Sequence, residues 1–325
     1  MRTPHSRLSP LLPALLCASG ALAQNYPAKP IRLIVPYPPA GTTDFVAREV
    51  GAKLGEAFGQ QVVIDNRPGA ATMIGLLQGA RAPADGYTIT FGTSAGLAVL
   101  PALGTKMQID PQRDFVPIGM MVYVPYFLVV TAALPARNLK ELIDLAKAQP
   151  GKLNFASPGV GTSNHLGMEM LNGLANVKFV HVPYKGGAPA VTDLVAGQVQ
   201  VFFSGIPQVF SFVKAGRLRI IAAATPKATR VAPDVPTIAE TYPGFDCNTW
   251  FGLLAPIGTP APIIAKFNRE LNRALGDAGL IQRLLDQGVE AMPGPPAALS
   301  KMVVDETERW RKVIKSAGIT AENAR

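Results

Sequence analysis

The stretch Ile31-Arg-Leu-Ile-Val35 followed by Pro36-Tyr-Pro-Pro-Ala-Gly-Thr-Thr-Asp44 decides how the fold is read. Its first part is an apolar strand and its second a turn of small residues. From about Thr43 to Phe58, Val46, Val50, Leu54 and Phe58 recur at i, i+4, which puts them on one helical face. A strand that enters a helix through such a turn creates an anion site. The first amides of the helix have no internal partner, and the helix dipole adds positive potential. Gly41 permits close approach to the backbone, while Thr42, Thr43 and Asp44 supply caps and polar contacts. A loop of similar character, Ser157-Pro-Gly-Val-Gly-Thr-Ser-Asn-His165, lies in the middle of the chain. Two such loops suggest a cleft that grips a small carboxylate from both sides.

Outward from these loops, strand-like runs alternate with helical patterns. Strands are expected at 31–35, 61–64, 87–91, 116–122, 126–131, 153–156, 177–181, 199–203, 218–223 and 250–255. Helices are expected at 43–58, 70–80, 139–149, 163–172, 188–196, 207–215, 262–275 and 297–317. The alternation implies an α/β architecture with mainly parallel sheets. Two crossings between lobes are expected near 111–133 and 217–225. They divide the chain into a discontinuous first lobe, 24–115 plus 226–325, and a second lobe, 116–225. Paired crossings suit closure around a ligand.

The N-terminus reads as a secretory signal, with Arg2 and Arg7 basic, Leu8 to Leu16 apolar, and Ala21-Leu-Ala23 as the cleavage site. Cleavage near Ala23 would release an exported mature protein. Cys17 lacks the small residue before it that lipoprotein processing needs. Cys247 is then the only cysteine of the mature chain and is read as a packed small side chain. The formal charge is +9, and loss of Arg2 and Arg7 leaves about +7, spread without a basic run. That pattern fits attraction of small anions and argues against a nucleic-acid partner. No spacing indicates a metal or a cofactor.

Other motifs compete with this reading. Gly92-Thr-Ser94-Ala-Gly96 fits the nucleophile elbow of α/β-hydrolases, so a secreted serine hydrolase using Ser94 is the alternative. The candidate histidines, His165 and His181, lie far from the C-terminus, against the hydrolase order. Ser94 is therefore expected to line the cleft as a hydrogen-bond donor. The 157–165 loop has Asn164 where a dinucleotide loop has its third glycine. Tyr184, in Val182-Pro-Tyr-Lys-Gly-Gly187, is placed either in the cleft or as a cap on the sheet.

Segments in fixed order along nearly the whole mature chain resemble a known family. They are Pro36 to Asp44 with Ala47-Arg48, Val63-Ile-Asp-Asn-Arg-Pro-Gly69, Ala84-Asp-Gly-Tyr-Thr88, Asp114-Phe-Val-Pro-Ile118, Gly159 to Leu166, Val182 to Gly187, and Trp250-Phe-Gly-Leu-Leu-Ala-Pro-Ile-Gly-Thr-Pro260. The chain resembles the periplasmic solute-binding proteins of tripartite tricarboxylate transporters, the Bug family. The resemblance implies a non-enzymatic, two-lobed fold of periplasmic-binding-protein type. Such a protein closes on a carboxylate and hands it to a membrane transporter, and a monomer is expected. It places the ligand against Ala40, Gly41, Thr42, Thr43 and Asp44 of one lobe and Gly161, Thr162 and Ser163 of the other. Asp44 is expected to cap the helix and order water, since a bare carboxylate would repel the ligand. A sensor subunit for a signalling partner would use the same closed state. Departures from the family pattern are Ala40 for a glycine, Leu97 and Leu100 for polar residues, and Ser204 for an aspartate. They favour a simple dicarboxylate or a more apolar acid over an amino acid.

Overall fold

The computed structural model describes residues 26–39 and 41–320. The signal segment and Ala40 lie outside the described residues. Strand β1 (Ile31–Val35) is followed by α1 (Thr42–Phe58), β2 (Val62–Asn66), α2 (Met73–Ala80) and β3 (Thr88–Thr93). Short helices α3 (Leu100–Ala102) and α4 (Pro111–Asp114) lead into the long β4 (Phe115–Pro125). The middle of the chain runs β5 (Phe127–Thr131), α5 (Leu139–Ala148), β6 (Asn154–Ser157), α6 (Ser163–Ala175), β7 (Val180–Pro183), α7 (Gly187–Val195), β8 (Val201–Ser204), α8 (Ile206–Lys214) and β9 (Leu218–Ala223). It ends with α9 (Ile238–Thr241), β10 (Asn248–Pro256), α10 (Ala261–Leu275), α11 (Ala278–Asp286), β11 (Glu290–Ala291) and α12 (Pro296–Ser316).

The strands form two sheets, in orders β11-β4-β10-β3-β1-β2 and β7-β6-β8-β5-β9. Both contain the same unit. β1 lies between β2 and β3, parallel to both, as β6 lies between β7 and β8. An antiparallel strand then pairs with the third member, β10 on β3 and β5 on β8. In each unit the chain turns to opposite sides of the central strand, so each sheet has a crevice at the carboxyl end of β1 or β6. That is where open α/β sheets bind ligands. β1 is buried except at Arg32 and carries apolar side chains on both faces, as a helix-covered parallel strand requires.

Sheet membership moves one expected element. The strand expected to open the second lobe at 116 is β4, which pairs with β10 and β11 in the first sheet. The passage to the second sheet is Tyr126, the single residue between β4 and β5. Pro125 and the run of apolar residues on both sides hid this switch, because buried strands of either sheet look alike in sequence. The expected helix from 70 also begins later. Ala70, Ala71 and Thr72 have φ of 47°, 50° and 83°, left-handed values that an α-helix excludes, and the regular helix starts at Met73.

Helix α12 joins the two lobes. Leu299 and Val303 pack with Trp250 and Met120 of the first sheet. Trp310, Val313 and Ile314 pack with Phe155, Leu166 and Phe203 of the second. Between these contacts the buried Glu306 carboxylate accepts from the indole N–H of Trp250 and, at 2.8 Å, from that of Trp310. Arg309 bridges Glu306 to Asp246. Burial pushes the Glu306 carboxyl up to about 7 against the pull of Arg309 and the two indoles.

Helix α6 packs closely on the return segment. A Cβ on Gly167 would collide with Cys247 Sγ and lie 2.7 Å from Cys247 Cβ, whereas a Cβ on the exposed Gly173 would meet nothing. Cys247 also donates from Sγ to Ser163 O at 3.2 Å, which makes it a packing residue. In urea unfolding, Gly167→Ala is expected to lose about 1–3 kcal/mol through overpacking. Gly173→Ala is expected to gain up to about 1 kcal/mol from helix propensity. Equal behaviour of the two variants would contradict this packing.

Candidate functional site

The carboxyl ends of β1, β3, β4 and β8 and the start of β10 meet in a cavity of ≈ 190 Å³ between the sheets. The first lobe lines it with Tyr37, Thr42, Thr43, Val124, Thr249, Phe251 and Gln287, the second with Gly205, Pro207 and Gln208, and Tyr126 lies at the crossing. Thr42 and Thr43 open α1, whose N-cap is Gly41 with no side-chain cap. The amides of Thr42 and Thr43 have no hydrogen-bond partner among the described residues. The N-terminus of a long helix thus faces the cavity with its positive end, as the strand-turn-helix pattern requires.

The walls are held from behind. Phe251 packs on Phe91 with ring centroids 5.1 Å apart. The Tyr37 hydroxyl and Thr93 Oγ1 lie 3.4 Å apart. Ser94 Oγ and Thr249 Oγ1 share a 2.8 Å hydrogen bond. Ser204 Oγ donates to Gln208 Oε1 at 3.2 Å, leaving Gln208 Nε2 without a protein partner among the described residues. The Tyr126 hydroxyl and the Gln287 side-chain amide also have none there.

The residues singled out from sequence fall into three groups. Thr42 and Thr43 line the cavity and Gly41 adjoins them. Ser94 and Ser204, both fully buried, stand one layer back and orient Thr249 and Gln208. The rest are engaged elsewhere. Asp44 sits within the first turn of α1 with its carboxylate bonded to Asn66 Nδ2 at 3.0 Å and Arg48 Nε at 2.9 Å. Gly161 donates its amide to His165 Nδ1 at 3.0 Å, and Thr162 caps α6 while donating to Gly159 O at 2.8 Å. Ser163 is the first residue of α6 and is buried. These three follow the carboxyl end of β6, between β7 and β8 of the second sheet, and are not among the residues lining this cavity. Tyr184 turns its hydroxyl to Asp193 Oδ2 at 2.7 Å on its own lobe. Ala40 lies outside the described residues. Leu97 packs among Leu76, Trp250 and Leu254 and is not among the residues lining this cavity. Tyr37 and Phe251 fall within the quoted motifs without being singled out, and Tyr126, Gln208, Thr249 and Gln287 carried no sequence signal, because folding alone brings them together.

The hydrolase alternative finds no support. Ser94 has ordinary right-handed dihedrals, φ −52° and ψ −40°, and opens a π-helical turn at Ala95–Val99. Its partner is Thr249. Gly92 and Gly96 are packing glycines, since a Cβ on them would press on Leu97 and on Thr72 and Leu76.

The two histidines form a structural stack under the 158–163 loop. Their rings are 3.8 Å apart at 12°, with Phe155 against His181 at 4.8 Å. His181 Nε2 meets Ser157 Oγ at 2.6 Å, and His165 Nε2 lies 3.8 Å from Glu169, whose own carboxyl is raised by burial. Burial lowers His165 to about 3, helped by His181, and lowers His181 to about 4. A neutral pair that the unfolded chain would protonate near its ordinary value contributes stability above about pH 6.5, and that contribution is lost as pH falls toward 4. Glu306, raised in the fold, acts in the opposite sense. His181→Phe is therefore expected to flatten the acid limb of stability against pH relative to the parent chain. An unchanged limb in urea titrations at pH 7, 6 and 5 would contradict the assignment.

Two α/β lobes of the same topology, joined by crossings and facing each other across a helix N-terminus, define a bilobal solute-binding protein. The family model described as tripartite tricarboxylate transporter family receptor matches residues 46–319, and the chain belongs to that family. It is 36% identical over 307 residues to the protein BugT of Bordetella pertussis, covering 93% of each chain. It is similar in fold to an R. palustris protein solved with adipate, at TM-score 0.79 and 36% identity, covering 91% of this chain and 99% of that one. It is likewise similar to MatC from Rhodopseudomonas palustris with bound malate, at TM-score 0.73 and 32% identity, covering 89% of this chain and 100% of that one. The protein is a solute-binding protein and not an enzyme. Among the described residues, no helix is long and apolar enough to cross a membrane.

Proposed function

We propose that this protein captures a small organic carboxylate in the cavity between its sheets, in the periplasm, and delivers it to a tripartite tricarboxylate-type membrane transporter. One observation carries the reading. The unpartnered Thr42 and Thr43 amides at the start of a helix of 17 residues meet a cavity whose far wall belongs to the other lobe. An anion there bonds to those amides and to the Thr43 hydroxyl, while Gln208 and Pro207 cover it from the second lobe. Adipate and malate in two related structures support a carboxylate as the ligand class. Periplasmic relatives and the signal pattern support export. The ligand then links the lobes and favours the closed form, which is the form a transporter would read.

The test is a thermal-shift panel on protein refolded free of ligand, with dicarboxylates, citrate, ring acids and amino acids. A ligand that binds only the native state stabilises it by about 2.7 kcal/mol at a hundredfold excess over its dissociation constant. A hydrogen bond to a charged group contributes about 1.5–3 kcal/mol, so Thr43→Val is expected to weaken the responding acid by roughly tenfold or more. Absence of a shift with every acid would refute carboxylate capture.

A further inference from the structure

The cavity also constrains what is attached to the carboxylate. None of its lining residues carries a charge. The helix N-terminus serves one carboxylate. A second one would lose its water without a cation opposite it, a cost that neutral amides offset only in part. The walls are flat and apolar: Phe251, fixed by Phe91; the rings of Tyr37 and Tyr126; Val124; and Pro207. Polar tips without protein partners remain at Tyr126, Gln208 and Gln287. The volume of ≈ 190 Å³ exceeds the roughly 150 Å³ that accommodates a benzene ring and leaves room for a carboxylate beside it.

We infer that the ligand is a monocarboxylic acid with a single ring, bearing a neutral hydroxyl or similar group. Its carboxylate lies on Thr42 and Thr43, its ring between Phe251 and the two tyrosines, and its hydroxyl against Gln208 and Tyr126. This rests on the carboxylate reading above and narrows it. Ser204 is the positioning residue, since its hydroxyl lies between Gly205 O at 3.1 Å and Gln208 Oε1 at 3.2 Å. An aspartate there would bring a negative charge to the cavity wall. The neutral serine keeps Gln208 able to donate.

Calorimetric titration of ligand-free protein with benzoate, 4-hydroxybenzoate, adipate and succinate tests this. 4-Hydroxybenzoate is expected to bind at least tenfold more tightly than either linear diacid. Gln208→Leu is expected to weaken 4-hydroxybenzoate roughly tenfold more than it weakens benzoate, one hydrogen bond being at stake. Tyr126→Phe, which removes only an oxygen, provides a second test of the same discrimination should the glutamine variant fail to fold. Tighter binding of adipate or succinate would overturn the ring-acid class and leave carboxylate capture standing. Equal loss of benzoate and 4-hydroxybenzoate in both variants would overturn the assignment of the hydroxyl contact. Failure of all four acids to bind would overturn the carboxylate reading and this inference with it.

Discussion

The structure depends on how the chain passes between its two sheets. A single residue, Tyr126, separates the last residue of β4 in one sheet from the first of β5 in the other. Its ring packs against the cores of both lobes, and its backbone carbonyl accepts from Ala224 at the start of the return passage. With so short a link, the ends of β4 and β5 stay adjacent, and the crevices of the two sheets must face each other. The crossing residue also lines the cavity, so one side chain touches both cores and the space between the sheets. Helix α12 adds a second connection, with one end in each core and the Glu306 clasp between them.

Charge is distributed to match this plan. The cavity itself has no ionised lining, and its positive potential comes from backbone dipoles at α1. Such a source is fixed by the fold and needs no counter-ion when the site is empty. Ionisable groups that are buried serve the scaffold. Asp44 ties the first turn of α1 to Asn66 and Arg48. Glu306, Arg309 and Asp246 tie α12 to the return segment. The histidine stack, kept neutral by burial, supports the loop ahead of α6 and holds the Gly161 amide. The residues most suggestive of chemistry in the sequence are thus mostly framework, and the cavity is built from neutral side chains.

The legibility of the chain follows the range of the forces involved. Helices and buried strands arise from local periodicity, so the order of elements, the α1 anion loop and the family motifs could be read directly. Ser94 and Ser204 were legible as polar residues at strand ends, but their turn toward Thr249 and Gln208 depends on strands far away in sequence. The 157–165 loop has the same local grammar as the 36–44 loop. Its amide and hydroxyl groups are nevertheless taken by His165 and Gly159, partners that become visible only when the loop is folded.

By itself, the sequence determined the α/β class and the strand-turn-helix that opens α1, because each rests on patterns within about twenty residues. Tertiary structure alone decided which sheet β4 joins, since pairing partners compete over long separations and a buried apolar strand suits either sheet. It also gave the two similar loops different hydrogen-bond partners, and it assembled Tyr37, Tyr126, Gln208, Phe251 and Gln287 around one cavity. Those residues are scattered over 250 positions of chain and share no local signal. Only the packing of two sheets across one short crossing brings them within reach of a single ligand.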